Sequence, residues 1–268
     1  MSSMHGLQKA LFPFFKKELG MFGKFSEAFS LFWDHLGLFA AIVLTVWLPG
    51  NIGLNCYIYY VKGASDSNVM RWSGIIEGLL SPIYIGAIIY ALYYIKMGTP
   101  VTYREAISIG FQSWGMLFVA RLCARILTFL GLVALIIPGI ILAVRYSLLE
   151  QTVILECLGH EEARARSVEL TSGRRWRIFA AAILFVLSYL VLSFASYWGF
   201  NLFFTTIMPE NITDFFKWGM MSVNIGMDCA LDIYFAIIWI VLFLFYWEAT
   251  HEDSPELMVQ ESLPVGME

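Results

Sequence analysis

Apolar residues come in long uninterrupted windows along this chain. Leu36–Val61, Gly78–Ile95, Ile126–Val144 and Ile178–Pro209 contain no charged residue. Each reaches the ~18–20 residues that cross the hydrocarbon core of a bilayer. The polar punctuation between and around them predicts six helices, at about 36–61, 75–97, 114–136, 139–158, 177–207 and 218–247. The third and fourth are separated only by Ile137-Pro138-Gly139, where Pro and Gly make a tight helical hairpin. Pro49-Gly50-Asn51 with Asn55, and Ser81-Pro82, predict polar breaks inside the first two spans. Irregular backbone at such depth needs protein or a wet cavity around it.

Shorter polar segments precede the spans and resemble one another. Ser26-Glu27-Ala28 leads into Gly37-Leu38-Phe39, Tyr103-Arg104-Glu105-Ala106 into Gly115-Met116-Leu117-Phe118, and His160-Glu161-Glu162-Ala163 into Trp176-Arg177-Ile178-Phe179. The pattern predicts three parallel repeats, each a short amphipathic helix, a span and a return span. The expected fold is all-α and polytopic: six transmembrane helices in three hairpins, with interfacial helices on the cytoplasmic side. Residues 1–35 mix Phe12, Phe14, Phe15, Phe22, Phe25, Phe29 and Phe32 with Lys16, Lys17 and Lys24, which suits an interfacial amphipathic segment. Residues 36–248 form the membrane domain, and 249–268 an acidic tail with Pro255 and Pro264, expected to be disordered. No signal-peptide apolar core is expected ahead of the first span.

Composition agrees with the pattern: of 268 residues, 59% are hydrophobic and 14% charged, against about 45–50% and 25% in soluble domains. A disordered chain, a nucleic-acid-binding module and a disulfide-stapled secreted domain are excluded. The net charge of −4 hides an uneven distribution. With the N-terminus inside, the cytoplasmic segments hold Lys9, Lys16, Lys17, Lys24, Lys96, Arg104, Arg164, Arg166, Arg174, Arg175 and Arg177; the outer loops hold only Lys62, Arg71 and Lys217. That bias predicts cytoplasmic N- and C-termini in a bacterial inner membrane.

The residues Pro138-Gly139-Ile140-Ile141-Leu142-Ala143-Val144-Arg145-Tyr146, then Glu156-Cys157-Leu158-Gly159, Glu162-Ala163, Ser167 and Leu170-Thr171-Ser172-Gly173-Arg174-Arg175-Trp176 form one continuous run. This run resembles the membrane domain of some glycerophosphoryl diester phosphodiesterases and of related six-helix proteins of bacterial inner membranes. The likeness is strongest over about residues 103–185 and extends across Ser26–Trp247. It implies location and fold. It transfers no catalytic residue, because the residues that carry it belong to the membrane domain, and no phosphodiesterase domain is expected in this chain.

Little else points to chemistry. The four histidines are scattered and the four cysteines lack ligand spacing, so neither metal nor cofactor is expected. Asp228 and Asp232 share a helix face but lack the further acidic residues that metal-dependent lipid-phosphate transferases use. The buried charges say more. Arg121, Arg125 and Arg145 against Glu150, Asp228 and Asp232 sum to zero and predict an intramembrane network or, with Asn51 and Asn55, a polar cavity. Depth arithmetic favours Arg125 pairing with Asp232 or Glu150, Arg145 with Asp228, and Arg121 snorkelling to the headgroups. In the loop, Glu162 and Arg166 stand at helical pairing distance. Arg174, Arg175 and Arg177 around Trp176 are candidate contacts for the phosphate of anionic phospholipid. The expected function is that of an integral inner-membrane protein without a catalytic domain, supporting envelope lipid handling. A small transporter with a polar midplane cavity and an intramembrane lipid-modifying enzyme are the alternatives.

Overall fold

In a computed structural model, which describes residues 23–57, 60, 67–207 and 214–252, the chain is helical, with no strand among the described residues. A helix over residues 23–34 (α1) is followed by α2 (Leu36–Cys56), α3 (Ser67–Lys96), α4 (Tyr103–Gln112), α5 (Trp114–Ala134) and α6 (Ile136–Arg145). Then come α7 (Leu149–Leu155), α8 (His160–Leu170), α9 (Arg175–Ile207) and α10 (Asp214–Trp247), which ends in a π turn, Glu248–Glu252. Among the described residues, six stretches are long and apolar enough to cross a membrane, with α6 and α7 together making the fourth. The protein is an all-α polytopic membrane protein. The expected N-terminal segment before residue 23 and the tail after 252 lie outside the described residues.

The three expected units are visible as α1–α2–α3, α4–α5–α6/α7 and α8–α9–α10. Their shared Glu-Ala step has one structural meaning: Ala28, Ala106 and Ala163 are each wholly buried beneath the short helix that carries them. Within every unit the return span is the inner one. The most apolar window of the second, fourth and sixth spans is 61%, 39% and 61% buried, against 28%, 22% and 17% for the first, third and fifth. The return spans α3 and α10 therefore form the pillar of the bundle, and the leading spans face the membrane.

Lipid tails are as apolar as leucine, so helix association in a bilayer rests on close packing and internal hydrogen bonds. Small residues make that packing possible. Gly110 of α4 lies on the Ile83 carbonyl of α3 with no room for a β-carbon, and a β-carbon on Gly86 would come within 3.5 Å of the Gly110 Cα. The short helix α4 thus packs back along the second span instead of lying free on a membrane surface. Its start is fixed by a capping box, in which the Thr102 hydroxyl accepts from the Glu105 N–H and the Glu105 carboxylate accepts from the Thr102 N–H.

Three expectations about helix breaks change. Pro49 and Pro82 lie inside continuous helices α2 and α3, so neither marks a break. The hairpin between the third and fourth spans turns at Leu135, extended at φ −161° and ψ 140°, three residues before Pro138. Pro138 itself occupies the first turn of α6, where a missing N–H costs nothing. A β-carbon on Gly139 would stand 2.6 Å from the Leu132 N, so glycine sets how closely the two helices meet. The fourth span, expected to be continuous over 139–158, is interrupted at Tyr146–Leu148. The interruption is stabilised from a distance: the Ser167 hydroxyl of α8 donates to the Arg145 carbonyl at 2.8 Å, pairing one of the orphan acceptors at the end of α6.

Candidate functional site

The interruption separates two arginine environments. Before it, α6 turns Ile137, Ile140, Ile141 and Val144 to one side, a spacing of three and four residues that aligns them as a stripe. This stripe and the start of α9 enclose a groove of 490 Å³ lined by Ile137, Ile140, Ile141, Val144, Arg145, Arg175, Trp176 and Phe179. Its walls are apolar except at one end, where Arg145 and Arg175 stand together. The Nε atoms of both are buried without a hydrogen-bond partner, and neither guanidinium enters an ion pair among the described residues. Trp176, 82% exposed, forms the rim. An apolar slot with two uncompensated guanidinium groups at its head is complementary to a phosphate joined to an acyl chain, because guanidinium binds phosphate through paired N–H donors.

The other two loop arginines are engaged elsewhere. Glu248, just past α10, receives Lys24 at 2.7 Å, Arg177 at 2.7 Å and Arg174 at 3.7 Å. This cluster ties α1 to the end of α10 and the start of α9, which places both described ends of the membrane domain on one face. Of Arg174, Arg175 and Arg177, the sequence-predicted phosphate contacts, the structure brings only Arg175 to the groove. Arg145 joins it there, far from the role expected for it. Nor do Glu162 and Arg166 pair: Arg166 binds Glu156 at 3.0 Å and Glu169 at 2.8 Å.

On the other side of the break, Arg121 of α5 meets Glu150 of α7, 3.3 Å from Nε to Oε1. Its NH1 donates to the Ser81 hydroxyl at 2.8 Å, and its guanidinium lies 5.6 Å from the centre of the Trp239 ring. The expected pairings of Arg125 with Asp232 or Glu150, and of Arg145 with Asp228, do not form, and Arg121 does not snorkel. The interruption at Tyr146–Leu148 is the physical reason. It displaces Glu150 from the helical register assumed in the depth count and turns it to α5, leaving Arg125 exposed.

The remaining polar residues form a file between α2 and α10. Asn55 Nδ2 donates to Asn51 Oδ1 at 2.6 Å, and Asn224 Nδ2 donates to Asn55 Oδ1 at 2.8 Å and to Asp228 Oδ2 at 3.3 Å. One helical turn beyond Asp228, Asp232 enters a cavity of 80 Å³ lined by Val43, Trp47, Glu77, Tyr84, Tyr189, Asp232 and Phe235. Asn51 and Asn55 do not line it, contrary to expectation. Glu77, Trp47, Tyr84 and Tyr189 were not foreseen. Glu77 borders the apolar window that begins at Gly78, and a carboxylate at the edge of a span was the available signal. Among the described residues, no group of three or more His, Cys, Asp or Glu side chains is placed to hold a metal ion.

The chain matches no protein-family model, no curated protein and no solved structure.

Proposed function

We propose that this protein binds anionic phospholipid in a bacterial inner membrane and supports envelope lipid handling. The observation that carries the reading is the groove between α6 and α9. It offers two guanidinium groups without a counter-charge at the head of a slot whose walls would accept an acyl chain. Each basic residue near an anionic surface contributes about 1 kcal/mol, and burial beside an apolar wall raises that value. In this reading the basic face, with Lys24, Lys96 and the α8–α9 loop, lies in the cytoplasm, together with both termini. The resemblance over residues 103–185 to membrane domains attached to glycerophosphoryl diester phosphodiesterases agrees with it, since such a domain would hold lipid-derived substrate beside an enzyme.

Native mass spectrometry of the purified chain tests the proposal. Wild-type protein should retain phosphatidylglycerol or cardiolipin, and Arg145→Gln/Arg175→Gln should lose it while remaining folded. Unchanged lipid adducts on the folded double variant would overturn it. Reporter fusions after Lys24 and Thr250 test the orientation, and periplasmic phosphatase activity at either position would reverse it.

A further inference from the structure

The Arg121–Glu150 pair borders a second cleft, of 340 Å³, between α5, α6, α7 and α10. It shares no lining residue with the groove between α6 and α9, and its volume falls in the ~300–1,000 Å³ range of small-molecule sites. Its polar wall is rich in donors: Arg121, Arg125, Thr128, Tyr146 and Trp239 stand against one acidic residue, Glu150. Trp239 is 7% exposed, and its Nε1 is buried without a hydrogen-bond partner. An indole N–H only donates, so what it lacks is an acceptor. The one carboxylate in the wall does not supply it, since Glu150 is engaged by Arg121 at 3.3 Å. Charge leads the same way. Arg121 and Glu150 neutralise each other, and the Ser81 hydroxyl takes a further Arg121 N–H. Arg125 is exposed and forms no ion pair among the described residues, although it stands near the middle of the third span, Trp114–Ala134. A guanidinium keeps its charge there, and a charge within a span needs a partner. The cleft thus holds one uncompensated positive charge and one buried donor without an acceptor.

We propose that this cleft binds one monoanionic carboxylate carried on an apolar chain, with Arg125 and the Trp239 N–H holding the carboxylate. Guanidinium matches carboxylate through paired N–H donors. The Thr128 and Tyr146 hydroxyls lie in the same wall, whereas the Ser147 hydroxyl is committed to the Val144 carbonyl at 2.8 Å. The remaining wall suits the chain. Phe129, Leu132 and Leu242 line it, and Phe129 and Leu132 are exposed on a membrane-facing span, so the cleft opens to lipid. Charge separates this ligand from its competitors. A phosphodiester stays ionised and keeps its headgroup at the interface. A carboxyl group sheds its charge where it is desolvated, and an opposite charge beside it favours the ionised form again. A dianion would exceed the single uncompensated charge, and a halide would leave the apolar wall uncovered. The proposal stands apart from the phospholipid groove, with which it has no residue in common.

The test uses the full chain, delipidated in detergent at pH 8, with radiolabelled palmitate as the probe. Wild type should bind it saturably, and methyl palmitate, which has the chain without the charge, should not displace it. Arg125→Gln should weaken binding about tenfold or more, the worth of a hydrogen bond to a charged group. Its Tm should match wild type, since no ion pair is lost, and its phosphatidylglycerol adducts should persist. Trp239→Phe, which keeps an aromatic ring and removes the N–H, should weaken binding about tenfold. Where that variant also unfolds, the Arg125 variant decides. Displacement by hexanoate at equal concentration would assign the site to a carboxylate taken from water, and resistance to it would assign one taken from the bilayer. Absence of palmitate binding, displacement by methyl palmitate, or undiminished binding in Arg125→Gln would overturn the proposal. So would palmitate binding that is lost in Arg145→Gln/Arg175→Gln and kept in Arg125→Gln, which would place the ligand in the groove instead.

Discussion

Arg121 of the third span and Glu150, just past the interruption of the fourth, lie 3.3 Å apart as an ion pair. Both side chains are about nine-tenths buried, at 12% and 10% exposure. Arg121 also binds Ser81 of α3 and lies over Trp239 of α10, so one guanidinium joins four helices. Breaking a buried pair by removing one partner leaves the other charge uncompensated and costs about 3–5 kcal/mol, whereas replacing both by apolar residues of similar volume is often near neutral. Arg121→Met and Glu150→Leu should each destabilise the chain by that amount, and the double variant by much less. Denaturation in detergent on a double-mutant cycle reads the difference. Additive losses would show that the two side chains act separately.

The helix contacts make a prediction that separates space from propensity. Glycine to alanine inside a helix gains up to about 1 kcal/mol where the new methyl meets nothing. At Gly110 and Gly139 the methyl would meet backbone, the Ile83 carbonyl in one case and the Leu132 N at 2.6 Å in the other. Overpacking of that kind costs about 1–3 kcal/mol and outweighs the propensity gain. Gly110→Ala and Gly139→Ala should therefore lower the Tm, while Gly199→Ala, with nothing within 4 Å, should hold or raise it. Thermal unfolding of the three variants under one detergent condition decides the order.

The six spans and three repeats were legible because bilayer physics is written in composition: uncharged windows of sufficient length have few other uses. The repeated Glu-Ala step was legible for a related reason, since a short helix seated on a span needs a small residue at the contact. The break in the fourth span was not. Tyr146-Ser147-Leu148 contains neither Gly nor Pro, and what holds the end of α6 is a hydrogen bond from Ser167, 22 residues onward. The charge pairing failed with it, because depth counted along an unbroken helix puts Glu150 on the wrong side. Pro49 and Pro82 misled in the other direction, since neighbouring helices tolerate a lost backbone bond inside a membrane. Arg145 was read as a buried partner for Asp228 because its charge was counted without its neighbours.

The Glu248 cluster separates stability from lipid binding. Arg177 donates to both carboxylate oxygens, at 2.7 and 3.3 Å, while Arg175, two residues earlier, points into the groove. Arg177→Gln should therefore lower the Tm and leave phospholipid adducts intact, and Arg175→Gln should do the reverse. Glu248→Gln would leave Lys24, Arg174 and Arg177 facing one another without the charge that gathers them. The cost should be about 2 kcal/mol, between a surface pair and a fully buried one. Hydrogen exchange should then rise across residues 23–34, whose tie to α10 runs through Lys24. If lipid retention falls equally in the Arg175 and Arg177 variants, the division of labour drawn here is wrong.

The last prediction concerns pH at the start of α4, outside the spans. The Glu105 carboxylate accepts from the Thr102 N–H at 3.0 Å, and that bond, with the Thr102 side chain, holds its pKa below the ordinary 4.5. A carboxyl depressed in the folded state contributes stability that is present in full above its unfolded pKa and fades as pH falls through the folded value. At neutral pH the cap is therefore at full strength, and below about pH 4.5 it begins to weaken. Glu105→Gln keeps a capping-box residue at the third helical position but cannot titrate. The Tm difference between wild type and this variant should be constant above pH 5 and shrink as acid is added. Thr102→Ala removes the hydroxyl arm of the box and should cost about 0.5–2 kcal/mol at neutral pH. A wild-type-to-Gln difference that grows on acidification would mean that the Glu105 proton stabilises the helix, against the sign set by its two backbone and side-chain bonds to Thr102.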